Sequence, residues 1–206
     1  MSKLCYIDVE TTGLSDYHNC IWQLACLIQE GPDVLGKFEA KMRPYEKRNS
    51  KGVVPYKIED KALEVNGVTR GELMNFEDPR KVFDDFTNFL NQFIDPYKKK
   101  TDPEKEYYTF VAYNSDFDFK FIRDYFKAMG SKFMGTYFKY DLCVMNAFTH
   151  YNVLIGNPHW SPRKLEQAYN SMNLPPITQW HDAMADVTAT FNLFNEMNAR
   201  LLGLRQ

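Results

Sequence analysis

"YIDVETTGL", residues 6–14, is the stretch on which the reading of this chain turns. Tyr6, Ile7 and Val9, with Leu4 just upstream, are apolar residues, and Tyr, Ile and Val favour a pleated backbone. Thr11, Thr12 and Gly13 then signal a turn. A strand over residues 3–9 is expected. Side chains alternate across a strand, so Asp8 and Glu10 share one face while Ile7 and Val9 share the other. At about 3.3 Å per residue the two carboxylates start roughly 6.6 Å apart and can converge on one point. Like charges so close raise each other's pKa. Clustered hard oxygen ligands are commonly offset by a divalent cation such as magnesium or manganese. The alternative is a strand end fraying into solvent with both acids hydrated, and this stretch alone does not separate the two.

The chain has 206 residues, 44% hydrophobic and 25% charged, enough for one good core. Its formal charge of −2 is not the global footprint of a nucleic-acid binder. Phosphate binding would have to rest on local basic patches or on metal. Sixteen Phe and thirteen Tyr point first to a well-filled core and second to stacking surfaces. Cys5, Cys20, Cys26 and Cys143 form neither a C-x-x-C pair nor a zinc spacing with His18, His150, His159 or His181. They read as reduced thiols of a cytoplasmic protein. No signal-peptide core and no apolar run long enough for a membrane span is present.

Beyond the first strand, "CIWQLACLIQ" (20–29) and "LGKFEAKMRP" (35–44) read as two more, joined by short turns in an antiparallel start. A polar loop over 45–57 leads to a short helix stopped near Asn66-Gly67. In "DPRKVFDDFTNFLNQF", Val82, Phe83, Phe86, Phe89, Leu90 and Phe93 recur at helical spacing after Pro79. "YYTFVAY" (107–113) is a fourth strand and feeds a helix beginning near Ser115. "YFKYDLCV" holds a fifth, followed by a short helix to about His150, a loop over 151–162, a helix over 163–171 and a last helix over 182–202. This order predicts one mixed-sheet α/β domain over 1–206, with helices packed on the sheet.

Two further acids sit on apolar stripes. In the helix after the fourth strand, Asp118 shares a face with Ile122, Tyr125 and Met129, while Asp116 falls with Lys120, Arg123 and Lys127 on a solvated side. Ser115 or Asp116 can cap that helix. The helix dipole accounts for an acid in the first turn but not for one on the buried stripe. In the last helix Asp186 lies beside the line of Val187, Phe191 and Phe194. His181 is about 140° from Asp186 if both are helical. They meet only if His181 precedes the helix, with Asp182 as N-cap. Four acids placed inward argue for more than one metal ion.

These residues resemble the DEDD-type 3′-to-5′ exonucleases of the His subtype, the DnaQ-like family. "IDVETTGL" resembles its first motif, "YNSDFDFKFI" its second and "HDAMAD" its third. "EVNGVT" and "KLEQAYNSMNLPP" resemble its connecting segments. Asp116 stands where members often have a small residue. The resemblance implies a ribonuclease H-like fold, a mixed five-stranded sheet with the first three strands antiparallel. It implies two divalent ions, Mg2+ or Mn2+, held by Asp8, Glu10, Asp118 and Asp186, with His181 as general base. It implies Thr11 and Thr12 amides near the terminal nucleotide, Leu14 packing against terminal bases, and Asn114 orienting the site or contacting substrate. For Leu14 ordinary core packing, and for Asn114 a turn-forming role, remain open. The expected substrate is nucleic acid with a free 3′ end, single-stranded DNA being favoured. The alternatives are RNA, as in oligoribonuclease-like and ribonuclease T-like relatives, and a non-catalytic binding or assembly module. A polymerase partner and the oligomeric state stay open. Lys41, Arg43, Lys47, Arg48 and Lys51 are expected to track substrate phosphates, or else to form a solvated loop. Lys98 to Lys100, flanked by acids, read as solvated surface.

Overall fold

A computed structural model describes residues 3–49, 51–132, 134–160 and 162–203. The first strand, β1 (Lys3–Thr11), runs antiparallel to β2 (Ile21–Glu30), which runs antiparallel to β3 (Asp33–Lys41). β2 is buried on both faces, which is why its sequence is a nearly continuous apolar run rather than an alternating one. β3 alternates exposed and half-buried positions over most of its length because one of its faces meets solvent.

The chain between β3 and the next sheet strand forms a small hairpin, β4 (Lys47–Asn49) with β5 (Gly52–Val54), where only a polar loop was expected. Three helices follow: α1 (Asp60–Asn66), α2 (Arg70–Met74) and α3 (Pro79–Leu90). α1 stops where Gly67 takes the left-handed conformation (φ 63°) that its missing Cβ permits. The short α2, closed by a Thr69–Glu72 capping box, was not resolved as a separate helix in the sequence.

β6 (Tyr108–Ala112) and β7 (Phe138–Cys143) then join the sheet parallel to β1, giving the order β3-β2-β1-β6-β7. They are linked by α4 (Ser115–Ala128) and the single turn α5 (Met134–Tyr137). α6 (Val144–Leu154), α7 (Leu165–Ser171) and α8 (Ala183–Leu201) complete the fold. The five-stranded mixed sheet with three antiparallel leading strands is the topology that the resemblance implies. Two details differ. β3 ends at Lys41 because Met42 leaves the ladder to bridge Glu77, and α6 runs a turn past His150 because Tyr151 and Asn152 are buried.

Helices pack on both faces of the sheet, leaving one face of β3 to solvent. One carries Ile7, Val9, Leu24 and Ile28 against Phe86 of α3 and Phe121, Ile122 and Tyr125 of α4. The other carries Tyr6, Ala25, Leu27 and Val111 against Phe148 of α6, Tyr169 of α7 and Val187 and Leu193 of α8. β1 therefore lies at the centre of the sheet between two helical layers, and its C-terminal end is flanked by the N-terminal ends of α4 and α8.

Candidate active site

Asp8 and Glu10 project from the end of β1 on the α8 side. α4 brings Asp118 to the same strand end, where it is only 4% exposed and its Oδ1 accepts a hydrogen bond from the Val9 amide at 3.2 Å. Its N-cap position is Asn114, which makes no side-chain cap bond, and not Ser115 or Asp116. The Ser115 hydroxyl donates instead to Asp141 at 3.0 Å, and Asp116 pairs with Lys120 on the outer face.

α8 supplies the rest. Asp182 is its N-cap, accepting from the Ala185 amide at 3.1 Å. His181 precedes the helix with φ 61°, uncommon outside glycine, and its backbone amide is close enough to the Asp186 carboxylate to favour the charged form. This turn solves the angular problem seen in the sequence. Ligand atoms of Glu10, His181 and Asp186 lie within 4.8 Å of one another. Asp8 interacts electrostatically with Asp118, Asp186 and Glu10.

The electrostatics are those of a crowd of acids. Burial, reinforced by Asp118 and the other acids, pushes Asp8 well above the usual carboxylate range. Burial first, then Asp186 and Asp182, raises Glu10 to about 7. Burial raises Asp118 to about 8 and Asp186 to about 7. Asp186 Oδ1 is buried without a hydrogen-bond partner. A hard-oxygen donor set with an orphaned carboxylate oxygen fits divalent metal.

A testable consequence follows from the sign of these shifts. Each acid binds its proton more tightly when folded than when unfolded, so its contribution to stability falls as pH rises from about 4 to about 8. Magnesium binding only the folded state at a hundredfold excess over its Kd adds about 2.7 kcal/mol. That corresponds to about 5–10 °C for a chain of this size. Thermal scans with magnesium and with EDTA are expected to differ by this much near pH 8 and far less near pH 5. An equal shift at both pH values would show that these carboxylates are not what the ion meets.

A cleft of about 280 Å3 opens beside the acids, lined by Glu10, Thr11, Gly13, Leu14, Phe117 and His181 and walled by α1 through Ala62, Val65 and Asn66. Leu14 is 81% exposed at its rim, which excludes core packing. The turn beneath Leu14 is tightly made. A Cβ on Gly13 would lie 2.4 Å from Glu59 Oε1 and 2.5 Å from Asn19 Nδ2. The Thr11 hydroxyl donates to the Gly13 carbonyl at 2.7 Å. Thr12 is fully buried, and its amide donates to the Cys20 carbonyl at 2.9 Å, so that amide is already used within the protein. Asn114 is exposed and outside the cleft lining.

The basic loop dissolves into separate roles. Lys47 is buried, with its amine on the carbonyls of Asp16 and Asn19 (2.6 Å to the latter), and burial lowers its pKa. It holds the 15–19 turn. Arg43 pairs with Asp78, and Lys41 lies over the Trp22 and Phe76 rings. Lys98 pairs with Glu104, in keeping with a surface role.

Sequence reasoning saw Asp182 only as a cap, whereas its charge also acts on Asp8, Glu10 and Asp186. Gln23 Nε2 tethers it at 2.9 Å. Gln23, a polar residue within an apolar run, was the available signal. The α1 wall was visible only as the "EVNGVT" likeness.

With this geometry in place, the chain can be assigned to a class: it belongs to the exonuclease family RNase_T, whose profile matches residues 5–194. Among curated relatives it is 24% identical over 190 residues to the PolC-type DNA polymerase III of Bacillus cereus and likewise to that of Bacillus subtilis. Each match covers 92% of this chain and 11% of the polymerase, so the chain spans about a tenth of the length of these relatives. Cell-death related nuclease 4 (CRN-4) shares the fold, with a TM-score of 0.73 at 17% identity over 98% of this chain and 65% of that one. So does E. coli exonuclease I in complex with a dT13 oligonucleotide, with a TM-score of 0.74 at 17% identity over 99% of this chain and 43% of that one. Among the described residues no helix is long and apolar enough to cross a membrane.

Proposed function

We propose that this protein is a metal-dependent 3′-to-5′ exonuclease acting on single-stranded DNA ends, its matched residues forming one catalytic unit. The observation that carries this reading is the convergence of Glu10, His181 and Asp186 beside buried Asp8 and Asp118, at a cleft near the lower size limit of small-ligand pockets.

Asp8, Glu10, Asp118 and Asp186 would hold two divalent ions, Mg2+ or Mn2+. Bound there, the ions would supply Lewis-acid stabilisation of the attacking and leaving oxygens. The cleft between Leu14, Phe117 and α1 receives the terminal nucleotide and orients its phosphodiester toward the acids. Thr11 belongs to that wall. Thr12, with its amide spent, shapes the turn instead, and Asn114 is left to helix initiation. His181 at the rim accepts the proton of the attacking water through its imidazole. A new P–O bond forms, the bond to the 3′ oxygen of the penultimate nucleotide breaks, and that oxygen takes a proton from solvent. The products are a nucleoside 5′-monophosphate and a strand shorter by one.

Support for DNA comes from the polymerase relatives and from the oligonucleotide named with exonuclease I. RNA is the second reading, because the reacting groups do not distinguish the sugars. Docking on a polymerase is consistent with the relatives in which the matching region is a small part.

The test is degradation of matched 3′-tailed DNA and RNA oligonucleotides with magnesium or manganese, by wild type and by Asp186→Ala. Stepwise loss from the 3′ end, abolished by the substitution, is expected, with DNA the faster substrate. Cleavage that persists in Asp186→Ala would overturn the site assignment.

A further inference from the structure

Between Glu10 and Thr11 the ladder of β1 and β2 shifts by one residue, pairing Glu10 with Gln23 and Thr11 with Ile21. Trp22 is the extra residue of this bulge. It is swung out against Leu63 of α1 and Leu73 of α2 and stacks on Phe76, with ring centroids 5.8 Å apart and planes at 18°. Across the next pair, Gln23 stands opposite Lys41. Glu10, Gln23 and Lys41 therefore form one row across the sheet on the α8 side. Two strand spacings of about 4.8 Å set Lys41 roughly 10 Å from Glu10.

The Lys41 side chain is exposed, and its Nζ rests 5.8 Å from the Trp22 ring centroid and 5.9 Å from that of Phe76. Among the described residues it makes no ion pair. The acids nearby have other hydrogen-bond partners: Glu39, two residues earlier on the same face, accepts from Gln23 at 2.9 Å, and Glu72, which also feels the Lys41 charge, closes the capping box with Thr69. A cation held on aromatic faces keeps its charge while losing some of its freedom. It stands beside a site crowded with acids, where a polyanion needs a positive partner to approach.

We infer that Lys41 forms a phosphate subsite for the backbone of a single-stranded nucleic acid upstream of the scissile bond, with the Trp22 bulge and Phe76 as its shelf. This rests on the exonuclease reading of the neighbouring acids. It assigns to Lys41 a role that Lys47 and Arg43, already engaged within the protein, do not share.

The experiment compares wild type, Lys41→Gln and Lys41→Arg on two substrates. One is a single-stranded oligothymidylate. The other is the p-nitrophenyl ester of thymidine 5′-monophosphate, which has the scissile phosphodiester and no phosphate upstream of it. Lys41→Gln is expected to raise KM for the oligonucleotide about tenfold with kcat unchanged. It should also reduce the slope of log affinity against log salt by about 0.7, the value for one phosphate contact on a single strand. Ester hydrolysis should be unaffected, and Lys41→Arg should restore oligonucleotide binding. Equal losses on both substrates would make Lys41 a structural residue, and an unchanged salt slope would remove the subsite while leaving the exonuclease reading intact. Failure of wild type to bind the oligonucleotide at all would overturn both.

Discussion

Asp118→Asn is expected to lower exonuclease turnover by at least about 10²-fold and, in the same protein, to raise the melting temperature measured in EDTA at pH near 8. The two effects have one cause. Asp118 is buried beside other acids, and burial first, with Glu10 and Asp186 adding to it, lifts its pKa to about 8. Ionising it in the metal-free protein therefore costs stability as pH climbs from the unfolded value near 4. Asparagine keeps the shape and an oxygen able to accept the Val9 amide, so the packing of α4 against β1 is retained while the charge is lost. The group proposed to hold metal is then neutral, and the several kcal/mol that charge stabilisation would add in the transition state are reduced. Activity would be followed by release of 5′-monophosphate and stability by thermal scans. A variant that is both less stable and inactive would identify Asp118 as a structural residue.

His181→Ala is expected to reduce kcat by about 10²–10⁴-fold while leaving the magnesium-dependent rise in melting temperature intact. The proximity of His181 to Glu10 and Asp186 is also compatible with His181 as a further metal ligand, and this pair of readouts separates the roles. A general base contributes to turnover alone; a ligand contributes to both. The left-handed backbone at His181 (φ 61°) adds a complication, since alanine is strained there. His181→Asn, which tolerates that conformation, serves as the control for the position of the His181 amide on Asp186. Loss of the magnesium shift in both variants would move His181 from base to ligand.

The acids could be read from sequence because each violates a local pattern. Asp8 and Glu10 interrupt a strand of apolar residues, and Asp118 sits at the head of a stripe that continues through Ile122 and Tyr125, all of which are buried. The five sheet strands were legible for the same reason: apolar period and turn residues are local signals. What failed was non-local. Nothing within the segment 41–51 says that Lys47 will be engulfed, because its partners are carbonyls some thirty residues upstream. The Thr12 amide was lost to Cys20 through a turn whose path depends on Gly13 and Asn19. The meeting of His181 with Asp186 needed a backbone angle that no periodicity encodes.

β3, the strand that carries Lys41, is also an outer strand of the sheet. Its solvent-facing positions, Lys37, Glu39 and Lys41, put a charge at every second residue. An edge so decorated resists zipping onto a strand from another molecule, because the added strand would have to bury those charges or match them in register. The charged row thus serves the edge as well as the subsite proposed for Lys41. Replacing its members with apolar residues would open this edge to self-association and turn the fold toward aggregation.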